Sequence, residues 1–239
     1  MSKKHVCCVV PSGVTWTAYF ANCFTACVAH LIKQPLPGAA SQAISWTNPI
    51  GSDLVEQRTL GARQALERGA THVMWFDSDM TFQPDVVHRL MAHGRPVVAG
   101  NYVDKTRAGR PVAELSTEPA GSVASRLSSL SRSGLEPVRR VGMGCMLVEA
   151  DVFARIEFPW FGHRWAWTDG GAEPCRHVED VETFPWSAWN GRFEDWWFCD
   201  RLAQAGIPIF VDHDISRQLG HVGGCLFRHG GWDACEPVR

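Results

Sequence analysis

The sequence predicts an α/β protein with a mainly parallel central sheet and helices on both of its faces. Three observations carry that expectation. Apolar runs alternate with amphipathic stretches in the order β-α-β-α-β-α-β over about the first hundred residues, the alternation that builds parallel sheets through crossover helices. Runs such as Val73-Met74-Trp75-Phe76 are apolar at every position, as strands covered on both faces are. The runs also break into polar turn formers, Pro11-Ser12-Gly13 after the first and Asp77-Ser78-Asp79 after the third, at the strand ends where open α/β sheets bind ligands.

Residues 5–10 read as the first strand and 17–31 as an apolar helix with small residues along it. Pro11-Ser12-Gly13 lacks the glycine spacing of the common phosphate-cradling fingerprints, so a plain turn and a ligand-binding loop both fit it. Residues 42–46 form the second strand. The helix at 53–68 has clear ends: Ser52 or Asp53 caps it, Leu54, Val55, Ala62, Ala65 and Leu66 make a stripe at helical spacing, and Gly69 stops it. Arg58 and Arg63 lie off that stripe. After the third strand, Gln83-Pro84-Asp85 opens a helix that turns Val86, Val87, Leu90 and Met91 inward and ends at Gly94. Residues 96–100 are another buried strand, and Asn101-Tyr102-Val103-Asp104-Lys105 leaves it toward the sheet edge that carries Asp79.

From 114 to 137 the chain holds seven serines with Pro119 and Pro137 as punctuation, which reads as a mobile loop or a weak hairpin. Residues 138–148 resume as one strand interrupted by Gly142-Met143-Gly144, and 151–156 as a short helix. The two glycines suit a bulge or a close backbone approach to a ligand. Seven of the eleven tryptophans, Trp160, Trp165, Trp167, Trp186, Trp189, Trp196 and Trp197, fall between 158 and 198. A satellite core explains most of them, and one or two can offer a flat face to a sugar ring or a base. A helix opens at Glu194-Asp195 with Phe198, Leu202 and Ala205 inward and Gly206 as its stop, and residues 207–211 form a last strand. Asp212-His213-Asp214 and Leu219-Gly220-His221-Val222-Gly223 close the chemistry-bearing part, and the tail from 227 carries no signal.

Composition narrows the function classes. A chain with 45% hydrophobic and 20% charged residues is an ordinary globule. Its net charge of −2 gives no global reason to bind nucleic acid or an anionic membrane. Nine cysteines, an odd number with Cys7 and Cys8 adjacent, do not form a disulfide framework and read as reduced thiols. No signal-peptide core and no run approaching about 20 apolar residues occurs, so the expected location is the cytoplasm, including a host cytoplasm for a virus-encoded chain. A zinc site from Cys225, His229, Cys235, Cys175 and His177 lacks paired Cys-x-x-Cys knuckles.

The chemistry centres on Asp77 and Asp79. Side chains two apart on an extended chain point the same way, so both carboxylates can face one point. There they need a proton, a donor or a cation, and a hard divalent ion that keeps positions for phosphate oxygens is a natural partner. A polar turn closing a strand uses the same residue types.

The ordered set Arg58, Trp75-Phe76-Asp77-Ser78-Asp79-Met80, Gly100-Asn101-Tyr102, Gly142-Met143-Gly144-Cys145-Met146-Leu147, Glu194-Asp195-Trp196-Trp197-Phe198 with Gly206, and His221-Val222-Gly223 resembles the GT-A glycosyltransferases, close to the family 2 type and to related Asp-x-Asp mannosyltransferases. The resemblance implies one catalytic domain over 1–223. Residues 1–112 would be its nucleotide-sugar half and 138–223 its acceptor half with the Trp-rich insert 158–193, with 113–137 a flexible Ser-rich segment and 224–239 a tail. It further implies Mn²⁺ or Mg²⁺ on the diphosphate of a UDP- or GDP-sugar, held by Asp77, Asp79 and His221, with Asp77 and Ser78 also close to the donor. Pro11, Ser12 and Gly13 would touch the base or ribose, Arg58 would approach the phosphates, and Tyr102, Gly142 and Gly144 would line the donor site. Asp195 would be the general base of an inverting transfer, with Glu194 as fallback. The long segment before Glu194 departs from similar enzymes, so the acceptor hydroxyl stays open among a glycan, a lipid-linked sugar, a protein and a hydroxymethylated base of viral DNA. Arg107, Arg110, Arg132, Arg139 and Arg140 bracket the Ser-rich segment; plain surface solvation accounts for most of them, and a phosphate-contacting patch is the alternative. The competing readings are a nucleotidyltransferase, which normally has a Gly-x-Gly-x-Arg type loop that Pro11-Ser12-Gly13 does not supply, and a binding protein without turnover.

Overall fold

The computed structural model describes residues 2–106, 108–115, 126–162, 166–168, 171–173 and 194–234. In chain order the elements are β1 (Ser2–Val9), α1 (Ala18–Lys33), β2 (Ala39–Thr47), α2 (Leu54–Glu67), β3 (His72–Phe76), β4 (Met80–Thr81), α3 (Val86–Ala92), β5 (Val97–Ala99), β6 (Leu135–Val138), β7 (Cys145–Glu149), α4 (Val152–Arg155), β8 (Ala166–Thr168), β9 (Gly171–Glu173), α5 (Glu194–Gln204), β10 (Ile209–Asp212), α6 (His213–Ser216), β11 (Gly220–Val222), β12 (Cys225–Arg228) and β13 (Gly231–Ala234).

Helix boundaries follow local chemistry. Thr17 caps α1 by accepting from the Phe20 N–H at 3.1 Å, and Asp53 caps α2 by accepting from the Glu56 N–H at 3.0 Å. Each such cap contributes about 1 kcal/mol. Gly69, at φ +72°, turns the chain out of α2 toward β3, a backbone state that side-chain-bearing residues rarely adopt.

Seven strands form the central sheet in the order β2-β1-β3-β7-β5-β10-β6. Strand β1 is parallel to β2 and β3, and β5 is parallel to β10. Strand β7 is antiparallel to both β3 and β5, and β6 is antiparallel to β10. Five strands therefore run one way and two the other. The single strand expected over 138–148 is a correction: β6 lies at the sheet edge and β7 near its centre, and the glycine-bearing stretch between them leaves the sheet.

Alternation along the buried strands divides the core into two layers. Cys7, Val9, Val73, Trp75, Met146 and Val148 face one layer with Val55, Ala62 and Ala65 of α2, Val152 of α4, and Phe198 and Leu202 of α5. Val6, Cys8, Met74, Phe76, Cys145 and Leu147 face the other, with Phe20, Phe24 and Leu31 of α1, Leu90 of α3 and Ile215 of α6. Helices thus cover both faces, as continuous apolar runs require. Phe76 stacks on Phe82 at 4.2 Å and meets Phe24 edge-on at 6.2 Å. Truncating such a ring costs about 3–5 kcal/mol.

A second sheet, β13-β12-β11-β4, draws residues 220–234 back onto the end of β3. The segment after Gly223, in which the sequence predicts no strand or helix, therefore carries β12 and β13. Within the Ser-rich stretch, Leu127 and Ser129 are buried, and residues 116–125 lie outside the described residues. Of the tryptophans in the Trp-rich stretch, Trp165, Trp186 and Trp189 lie outside the described residues, and Trp167 is described by its backbone alone. Trp160 packs on Phe153 at 5.1 Å, and Trp197 Nε1 donates to the Pro159 carbonyl at 3.0 Å. The seven described cysteines are unpaired thiols, and no helix among the described residues is long and apolar enough to cross a membrane.

Candidate donor and metal site

Three loops at the carboxyl ends of β1, β2 and β3 converge on a cleft of about 340 Å³, within the usual range for small-ligand sites. The first supplies Pro11, Ser12 and Gly13, the second Gly51 and Ser52, and the third Asp77, Ser78 and Asp79, with Leu54 and Gln57 of α2 and His221 of β11 completing the wall. Polar bonds fix the first two loops to each other. Asn48 Nδ2 donates to the Val10 carbonyl at 2.6 Å and to Ser12 Oγ at 2.8 Å, and Gln57 Nε2 donates to the Ser12 carbonyl at 2.8 Å. Gly51, Ser52, Leu54 and Gln57 are cleft residues that the sequence does not mark as ligand-facing. Ser52 and Leu54 read there only as a helix cap and part of the helix stripe, and Gly51 and Gln57 are held by bonds to the Ser12 carbonyl.

The Asp77-Ser78-Asp79 segment is not extended. The Met80 N–H donates to the Asp77 carbonyl at 3.1 Å, closing a tight turn, so the polar turn and the paired carboxylates are one structure. The turn aims the two acids at different cations. Asp77 Oδ1 accepts from Arg58 Nη2 at 3.0 Å, whereas Asp79 Oδ2 is in contact with Lys105 Nζ and Asp79 Oδ1 lies 3.4 Å from His221 Nε2.

Strand β11 explains how a residue 142 positions downstream reaches Asp79. His221 pairs with Met80 and Gly220 with Thr81, and the Val222 N–H donates to the Asp79 carbonyl at 2.7 Å. His221 Nδ1 sits 2.9 Å from the Val103 carbonyl. A carbonyl only accepts, so Nδ1 carries the proton and Nε2 is the nitrogen turned to Asp79.

Behind Asp77 lies a second, buried layer. Arg58, which the resemblance sends toward the phosphates, is 1% exposed. Its Nε donates to Glu194 Oε1 at 2.8 Å, and its guanidinium lies 5.7 Å from the centre of the Trp75 ring. It joins the end of β3 to the start of α5. Burial works against its charge, but Asp77 and Glu194 outweigh burial and hold it protonated. Asp195 Oδ1 accepts from the Trp196 N–H at 2.7 Å. Burial, then the neighbouring Glu194, push its carboxyl well above the usual carboxylate range.

Tyr102 stands in the same layer, its ring 5.2 Å from that of His221 and its hydroxyl accepting from the Gly144 N–H at 3.2 Å. Burial, then Asp77 and Asp195, raise its phenol. Here the two glycines acquire a reason. A Cβ at residue 142 would lie 2.3 Å from the Tyr102 hydroxyl, and one at 144 would lie 2.9 Å from Tyr102 Cζ and 3.0 Å from Asp77 Oδ2. The close approach that Gly142 and Gly144 permit is to Tyr102 and Asp77. The structure therefore brings Pro11, Ser12, Gly13, Asp77, Ser78, Asp79 and His221 into the cleft, and Arg58, Tyr102, Gly142, Gly144, Glu194 and Asp195 into the layer supporting it.

The cleft chemistry can be tested against a divalent ion. Asp79 Oδ1 is buried and accepts no hydrogen bond. It faces an imidazole nitrogen whose ring is already oriented by a carbonyl, the arrangement usual around histidine ligands. Two lone pairs at that separation repel unless a proton or a cation lies between them. Asp79 and His221 thus fit an ion as a partial donor set, and among the described residues no cluster of three or more His, Cys, Asp or Glu side chains closes around one. Ions that bind through a few protein ligands and keep the remainder for phosphate oxygens and water suit that arrangement. The zinc alternative gains nothing: His229 Nε2 contacts the Asn101 carbonyl at 2.8 Å, and Cys175, His177 and Cys235 lie outside the described residues.

No protein-family pattern and no curated protein sequence matches the chain. Among solved structures, the crystal structure of A197 from STIV aligns over 98% of this chain and 97% of that one, with a TM-score of 0.57 and 13% identity. At that identity the likeness concerns the fold alone, a mixed α/β fold of the GT-A type.

Proposed function

We propose that the chain is a metal-dependent glycosyltransferase that moves a sugar from a UDP- or GDP-sugar to an acceptor hydroxyl with inversion. One observation carries the reading: the cleft at the ends of β1, β2 and β3 is lined by Asp77, Ser78 and Asp79, with Asp79 Oδ1 lying 3.4 Å from His221 Nε2. Asp79 and His221 would hold Mn²⁺ or Mg²⁺, and Asp77 borders the donor. The bound ion would supply Lewis-acid stabilisation to the diphosphate leaving group. Pro11, Ser12 and Gly13 receive the nucleoside, beside Leu54.

Asp195 takes the acceptor proton. Burial and then Glu194 raise its proton affinity, which strengthens its ionised form as a base but also favours the neutral acid, so transfer requires a pH at which Asp195 is ionised. The acceptor itself is unassigned, a nucleic-acid base among the options. The test is a panel of nucleotide-sugars incubated with the full chain and Mn²⁺. Slow donor hydrolysis that disappears in Asp79→Ala supports the reading. Release of pyrophosphate from a nucleoside triphosphate would instead favour a nucleotidyltransferase, and metal-independent glycan binding without turnover would favour a binding protein.

A further inference from the structure

The feature that the donor reading leaves unused is Lys105, one of only four lysines in the chain. Its ammonium contacts Asp79 Oδ2, on the other side of the carboxylate from His221. Its stem is seated as well as its head. A Cβ at Gly223 would lie 3.2 Å from Lys105 Cδ and 3.5 Å from Cγ, so the glycine two residues after His221 leaves the channel along which the lysine runs. The loop that presents it is tied down. Asp104 Oδ1 accepts from the Thr106 N–H at 3.2 Å, Thr106 Oγ1 at 2.5 Å and the Arg110 N–H at 3.0 Å, and Val103 bridges Pro111 across its base. The backbone at Lys105 is therefore fixed, and only its flexible four-carbon stem has freedom to swing. With its side chain 39% exposed, the lysine lies where solvent meets the cleft.

An ammonium and a divalent ion cannot both sit on one carboxylate at full strength, because each like charge raises the cost of the other. We propose that Lys105 is a tethered cation. It neutralises Asp79 when no divalent ion is present, yields that carboxylate to the ion when nucleotide diphosphate enters, and turns its own ammonium to the diphosphate oxygens. The inference rests on the donor reading above and deepens it. Lys105 is a diphosphate-binding residue, and ion and nucleotide enter together because each relieves what the other lacks.

The test is Mn²⁺ titration of the full chain, read by electron paramagnetic resonance, with and without UDP or GDP, in the wild type, Lys105→Met and Asp79→Ala. Lys105 is half-exposed, so its substitution leaves the fold intact, which circular dichroism checks. In Lys105→Met without nucleotide, Mn²⁺ binds about fivefold tighter, the upper end for a partly exposed ion pair. The same variant loses most of the tightening that the nucleotide produces in the wild type. Unchanged or weakened Mn²⁺ affinity in Lys105→Met, with the wild type still taking up Mn²⁺ alongside nucleotide, overturns the exchange and leaves the donor reading standing. A wild type that takes up no Mn²⁺ even with UDP or GDP, matching Asp79→Ala, removes the ion from the donor reading and the exchange with it.

Discussion

Replacing Arg58 with Met keeps an unbranched stem against Trp75 but removes the cation that joins Asp77 to Glu194. Arg58 is 1% exposed and Glu194 is 7% exposed, with bonds of 3.0 Å to Asp77 and 2.8 Å to Glu194. Deleting it leaves Glu194 buried without its counter-charge beside Asp195. Breaking a buried pair in this way costs about 3–5 kcal/mol. At a urea m-value of about 3 kcal/mol per M, the unfolding midpoint falls by about 1–1.7 M. The double variant Arg58→Met with Glu194→Gln regains at least about 1 kcal/mol, because the stranded charge is gone. Chemical denaturation of the three proteins at one pH measures both quantities. A single variant within about 0.5 kcal/mol of wild type, the range of an unremarkable surface change, or a double variant with no recovery, would refute the argument that Arg58 is a buried tie.

Three further outcomes follow from the same geometry. Gly144→Ala places a methyl 2.9 Å from Tyr102 Cζ and 3.0 Å from Asp77 Oδ2, so it costs about 1–3 kcal/mol and weakens nucleotide binding by displacing Asp77, which thermal melts and titration measure together. Asp195 holds its proton more tightly folded than unfolded, for reasons of burial and then Glu194; its contribution favours folding below the unfolded pKa and is lost as pH rises through the folded one. Asp195→Asn therefore melts higher than wild type at pH 8, with the gap closing toward pH 4, while losing transfer activity. His72 moves the other way, since burial and then Lys4 lower it to about 4. Its contribution is full above the ordinary histidine value and is lost as pH falls toward about 4, so melts of His72→Gln and wild type converge at acid pH.

The parts of the fold written in local chemistry are legible in the sequence. The apolar runs that become β1, β3 and β5 need no partner to be recognised, and Asp53 and Gly69 bound α2 by caps that act within a few residues. What the sequence hides is pairing over distance. The two-residue β4 and three-residue β11 have no periodicity of their own, and only their pairing across about 140 positions puts His221 on Asp79. Strand β7 reads as a continuation of β6 because nothing local says that it reverses between β3 and β5. Arg58 lies off the apolar stripe of α2, and the resemblance sends it toward the phosphates, yet it is buried against Glu194, 136 positions away. Lys105 has no motif at all; its role depends on the space over Gly223.

Calorimetric titration of UDP and GDP into the full chain, with and without Mn²⁺, decides whether the cleft is a donor site. The expected result is Mn²⁺-dependent binding of one of the two nucleotides, weakened at least tenfold in Asp79→Ala and in His221→Ala. Binding of neither nucleotide under any metal condition, or binding that Asp79→Ala leaves unchanged, would contradict it.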